Sequence, residues 1–127
     1  MLSKLEGKTA VVLSDNEGLS RVIELALEKY VRVVRLPNPP GQVEAFNKPG
    51  DLHLIVLAMS SPASEPIIAL ARASLVNRIG QVPILIISDK PFQSNPADRI
   101  VHLNFPFTID GLYTKVEEIM TDLPVSV

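Results

Sequence analysis

Short continuous apolar runs alternate along this chain with longer stretches in which apolar residues recur every three or four positions. The first pattern belongs to buried strands and the second to amphipathic helices. Thr9-Ala10-Val11-Val12-Leu13 predicts a first strand. Ser14-Asp15-Asn16-Glu17-Gly18 breaks it and offers capping side chains. Leu19, Val22, Ile23, Ala26 and Leu27 follow at helical spacing and predict a first helix through about Tyr30. Val31 to Leu36 predicts a second strand. Pro37-Asn38-Pro39-Pro40-Gly41 is a stiff loop, and Gln42 to Asn47 has room for only a short second helix before Pro49-Gly50-Asp51.

The third strand is predicted from about Leu52 to Ala58, apolar throughout except for His53, as a strand covered on both faces should be. A third helix spans roughly Glu65 to Arg78, with Pro66 suited to its first turn and Ile68, Ala71, Leu75 and Ile79 on one stripe. Val82-Pro83-Ile84-Leu85-Ile86-Ile87 predicts strand four, with its proline where a missing donor matters least. Pro91 and Pro96 lie within the stretch before strand five, so the fourth helix is shortened or absent. Strand five is about Ile100 to Asn104. The last helix starts near Thr108, with Ile109, Leu112, Tyr113, Val116, Ile119 and Met120 on its buried face.

Strands alternating with helices imply right-handed crossovers and a doubly wound, five-stranded parallel sheet of the flavodoxin-like α/β class. The expected order is 2-1-3-4-5. Strands one, three and four are the most apolar and belong at the centre; strand two, with Arg32 and Arg35, suits an edge.

Composition narrows the function. The 127 residues suit a single domain, with a core from about 8 to 122 and a frayed tail. Apolar residues make up 46% and charged residues 20%, an ordinary globular balance. The 12 basic and 14 acidic residues are well mixed and leave no basic stripe, which argues against direct nucleic-acid binding. No cysteine is present, so disulfides and thiol chemistry are excluded. The first residues lack the apolar stretch of a signal peptide, and no apolar run has the length of a membrane span. The expectation is a cytoplasmic domain that does not enter the membrane.

The candidate chemistry sits where ligands sit in open α/β sheets, at the carboxyl ends of the strands. Ser14-Asp15 follows strand one, and Ala58 ends strand three with Pro62 four residues on. Ser88 follows strand four, and Asn104-Phe105-Pro106-Phe107-Thr108-Ile109-Asp110-Gly111-Leu112 follows strand five. On these landmarks the chain resembles a response-regulator receiver domain over nearly its whole length. The resemblance places the family's acidic pair at Ser14-Asp15, its phosphoacceptor aspartate at Ala58 and its Ser/Thr at Ser88. It places the family's lysine, followed by proline, at Phe105 and implies a cis Phe105–Pro106 peptide.

Receiver phosphorylation requires a carboxylate nucleophile, a divalent cation on hard oxygen ligands, and a lysine and hydroxyl to hold the transferred group. Ala58 cannot attack phosphorus, Phe105 carries no charge, and Ser14 leaves Asp15 as the only acid of the pair. The expected site is therefore a degenerate phosphorylation pocket of Ser14, Asp15, Ala58, Ser88 and Phe105, without catalytic, metal or cofactor residues. Ser60, Ser61 and Ser64 are turn-forming loop residues with no predicted histidine at that end of strand three. His53 reads as a hydrogen-bonded structural residue. His102, where the family often has Tyr or Phe, reads as a half-exposed strand histidine or as a group sensing pH.

The sequence thus points to a pseudo-receiver: a non-enzymatic, phosphorylation-independent interaction module of two-component-type signalling. Its partner would be a protein of a signalling pathway or a second copy of the chain. Phe92, His102 and Tyr113 form the candidate interaction face, as exposed aromatic contacts. The alternative is a small-molecule or cofactor binder on the same scaffold, which no phosphate-loop motif supports. A cryptic enzyme using Asp15, Ser88 and Asp89 is a third reading.

Overall fold

The computed structural model describes residues 8–35, 52–60, 82–89, 99–104 and 107–121. In chain order these form β1 (Thr9–Ser14), α1 (Glu17–Leu27), β2 (Arg32–Arg35), β3 (Leu54–Met59), β4 (Ile84–Ser88), β5 (Ile100–Asn104) and α2 (Ile109–Thr121). The strands make one sheet in the order β2-β1-β3-β4-β5, and every neighbouring pair is parallel. Class, order and direction are those the apolar pattern predicts. The short second helix, the third helix, the shortened fourth helix, Phe92 and the Phe105–Pro106 peptide lie outside the described residues.

Side chains alternate across a strand, so a sheet covered on both faces needs apolar residues at successive positions. One face gathers Ala10, Val12, Leu54, Val56, Ala58, Leu85 and Ile87 against Ile23, Ala26 and Leu27 of α1 and Leu112, Val116 and Ile119 of α2. Val11, Leu13, Ile55, Leu57, Met59, Ile84, Ile86 and Ile100 form a second buried cluster on the opposite face. Each large aliphatic side chain buried in this way contributes about 1.5–3 kcal/mol. The edge strands are less covered: Arg32 of β2 is exposed, and β5 is half-buried through Val101, His102 and Leu103.

Local chemistry sets the element ends. Asn16 caps α1, its Oδ1 accepting from the Leu19 amide at 3.0 Å. The helix stops at Leu27 rather than running to Tyr30, because the Tyr30 and Val31 amides both turn back onto the Leu27 carbonyl. At the start of α2, Thr108 Oγ1 accepts from the Gly111 amide at 2.9 Å. A Cβ at Gly111 would stand 3.0 Å from that same oxygen, so the cap favours glycine there. Several strand limits shift from the predicted ones. Val31 precedes β2, Leu52 and His53 precede β3, and Val82 and Pro83 precede β4, whereas Met59 and Ser88 belong to their strands. Ile109, expected on the buried face of the last helix, is 39% exposed because it opens α2 before the helix reaches the sheet.

Tyr113 joins the two helices. Its hydroxyl donates to the Ala26 carbonyl at 2.8 Å, and its ring meets Tyr30 edge-on at 5.3 Å between centroids. An aromatic pair of this geometry adds about 0.5–1.5 kcal/mol beyond its buried area. No helix among the described residues is long and apolar enough to cross a membrane.

Candidate functional site

The register brings the carboxyl ends of the strands into one row. Ser14 lies opposite Ala58, Met59 opposite Ser88, and Ser88 opposite Asn104. Asp15, Ser60 and Asp89 stand immediately beyond it. The sequence-predicted residues Ser14, Asp15, Ala58 and Ser88 are therefore brought to one end of the sheet.

Ala58 is 0% exposed and belongs to the cluster packed against α1 and α2. Its methyl group is part of the hydrophobic core. Its carbonyl accepts the Ser14 hydroxyl at 2.7 Å, and Ser14 Oγ in turn accepts from the Asn16 amide at 3.0 Å. The Ser14 hydroxyl thus both donates and accepts within the fold, tying β1 to β3 and to the cap of α1.

Asp15 is engaged in the same direction. Its Oδ1 accepts from the Ser60 amide at 2.8 Å and from the Ser60 hydroxyl at 2.9 Å. These are charge-assisted bonds, stronger than their neutral counterparts. Of the loop serines read as turn formers, Ser60 is a partner of the carboxylate. Nothing in the local sequence signals this pairing, because the two residues lie 45 positions apart.

Ser88 and His102 form the second side-chain pair at this end. His102 Nε2 lies 2.9 Å from Ser88 Oγ and 3.2 Å from the Ser88 carbonyl oxygen. A carbonyl can only accept, so the tautomer carrying a proton on Nε2 satisfies both contacts. In that form the ring nitrogen facing Ser88 donates to both oxygens. The sequence reading places no histidine near the end of strand three. The fold supplies one beside strand four, through a two-residue diagonal between β4 and β5.

The proposed contact face changes character. His102 and Tyr113 are half-buried, not exposed, and both have polar partners inside the domain: Ser88 for His102 and the Ala26 carbonyl for Tyr113. Helical spacing put Tyr113 on the face that meets α1, and its polar tip found the last turn of that helix. His53 is hydrogen-bonded as predicted, its Nδ1 accepting from the Thr9 amide at 3.0 Å. It lies at the opposite end of the sheet.

A receiver-type divalent cation would need several hard oxygen ligands. At the acidic-pair positions, one oxygen of Asp15 already takes two donors and the Ser14 hydroxyl is bonded on both sides. This pair by itself does not fit such an ion. Among the described residues, no group of three or more His, Cys, Asp or Glu is placed to hold a metal.

No protein-family model and no curated protein matches the chain. Solved structures do resemble it. The receiver domain of the hybrid histidine kinase CckA superposes with a TM-score of 0.65 at 17% identity, covering 88% of this chain and 98% of that one. The chemotaxis protein CheY4 of Vibrio cholerae gives 0.65 at 11% identity, over 88% and 98% of the two chains. The receiver domain of Ssk1 from Saccharomyces cerevisiae, solved with the histidine phosphotransfer protein Ypd1, gives 0.59 at 21% identity over 90% and 89%. At these identities the likeness establishes a shared receiver-like, flavodoxin-type fold.

Proposed function

We propose that this chain is a pseudo-receiver: a signalling module with the receiver fold that acts through protein contacts and independently of phosphorylation. The observation that carries this reading is Ala58, a fully buried methyl group at the carboxyl end of β3. Aspartyl phosphorylation begins with attack by a carboxylate, and the side chain at this position has no lone pair to offer. Phe105 in place of lysine removes the charge that would hold a phosphoryl group. Ser14 and Asp15 are committed to bonds within the domain.

Such a module keeps the scaffold and exchanges its input. Its output would pass to a protein of a signalling pathway in the cytoplasm, or to a second copy of the chain. With His102 and Tyr113 turned inward, Phe92 is the remaining aromatic of the proposed contact face. The test is incubation with magnesium and a small phosphodonor, followed by intact-mass measurement under conditions that preserve acyl phosphates. An unmodified mass is expected. A stoichiometric gain of one phosphoryl group would sink the proposal.

A further inference from the structure

The acid that survives at this end of the sheet has a distinct use. We propose that Asp15 is a structural clasp between β1 and β3, occupying with its carboxylate the position where the fold would suggest a cation ligand. The inference deepens the reading of the same site given above. Backbone pairing between these strands ends at Ser14 opposite Ala58. Two residues farther along, the Ser60 amide is taken by the Asp15 side chain at 2.8 Å, and the Ser60 hydroxyl joins it at 2.9 Å. The carboxylate therefore adds a side-chain rung past the end of the backbone ladder.

Ser14 supplies the adjoining rung through its 2.7 Å bond to the Ala58 carbonyl. The last residue of β1 and the one after it thus close both the last pair and the first residue of the following loop. An oxygen with two lone pairs that already accepts two donors has no free direction for a metal. A cation at Oδ1 would have to compete with the Ser60 amide and hydroxyl for that oxygen. The clasp holds Ser60, the first residue after β3, against the end of β1.

The experiment uses the full chain and reads amide exchange at Ser60 by NMR together with the thermal midpoint, with and without millimolar magnesium. Asp15→Ala removes both bonds and should speed Ser60 exchange by about tenfold or more. Asp15→Asn keeps a neutral acceptor and should speed it less, with a lower midpoint than wild type. Magnesium should move neither the Ser60 resonance nor the midpoint of the wild type. A raised midpoint or unchanged Ser60 exchange in Asp15→Asn would overturn the clasp, since a cation pocket is relieved by losing its charge. A magnesium-dependent Ser60 shift present in wild type and lost in Asp15→Asn would overturn it equally. If Asp15→Ala does not fold, Asp15→Asn and the wild-type titration decide alone. A phosphorylated wild type whose Ser60 amide still depends on Asp15 would remove the functional reading and leave the clasp standing.

Discussion

Among the described residues, the two ends of this parallel sheet are closed by different kinds of bond. At the amino end the links are backbone: Arg32 N–H donates to the Lys8 carbonyl, His53 N–H to Thr9, Ile55 N–H to Pro83 and Ile84 N–H to Arg99, all at 2.9–3.0 Å. One side chain assists, His53 Nδ1 accepting from Thr9. At the carboxyl end the closing bonds come from side chains, through Ser14, Asp15, Ser60, Ser88 and His102. A backbone-closed end tolerates most substitutions, because any residue except proline can donate. A side-chain-closed end depends on residue identity. The carboxyl end is therefore where a change of sequence can change what the domain does.

The sharpest way to break this contrast is Ala58→Asp. Restoring a carboxylate puts a charge into a fully buried position among core residues and should cost about 3–5 kcal/mol, read as a lower denaturant midpoint with an unchanged slope. It should not restore phosphorylation, because Ser14, Asp15 and Phe105 still lack the cation site and the positive charge. Ser14→Ala comes next. It strips a donor from the Ala58 carbonyl and an acceptor from the Asn16 amide, for a loss of about 2 kcal/mol.

At the amino end, His53→Leu leaves the backbone links intact and removes the acceptor of the Thr9 amide, so about 1 kcal/mol is expected. A loss as large as that of Ser14→Ala would erase the distinction between the ends. The smallest effect, of opposite sign, belongs to Ser20→Ala. Ser20 is buried in α1 and its hydroxyl has no partner among the described residues, so alanine should raise stability by about 0.5–1 kcal/mol. Two buried serines thus separate cleanly in one thermal-melt series: the one that closes the sheet is needed, and the one that closes nothing is not.

Much of the fold was legible because its signals are local or compositional. Apolar runs named five strands, their relative apolarity placed β1, β3 and β4 at the centre, and Arg32 marked an edge. Ala58 and Phe105 were equally plain, since both are identities and need no geometry. The use made of the remaining polar residues was not legible. Ser14 meets the Ala58 carbonyl across 44 residues, Asp15 meets Ser60 across 45, and Ser88 meets His102 across 14. Tyr113 shows the same limit: its spacing placed it on the buried face and its aromatic character suggested a contact surface, and only the position of the Ala26 carbonyl decided between them.

By itself, then, the sequence determined the α/β alternation, the strand order and which residue types stand at the carboxyl ends of the strands. These follow from periodicity and from residue chemistry, which act within a strand or helix. The tertiary structure decided that the residues left at the carboxyl end are bonded to one another. A hydrogen bond is fixed by the register between strands, and register is set by the packing of both faces of the whole sheet.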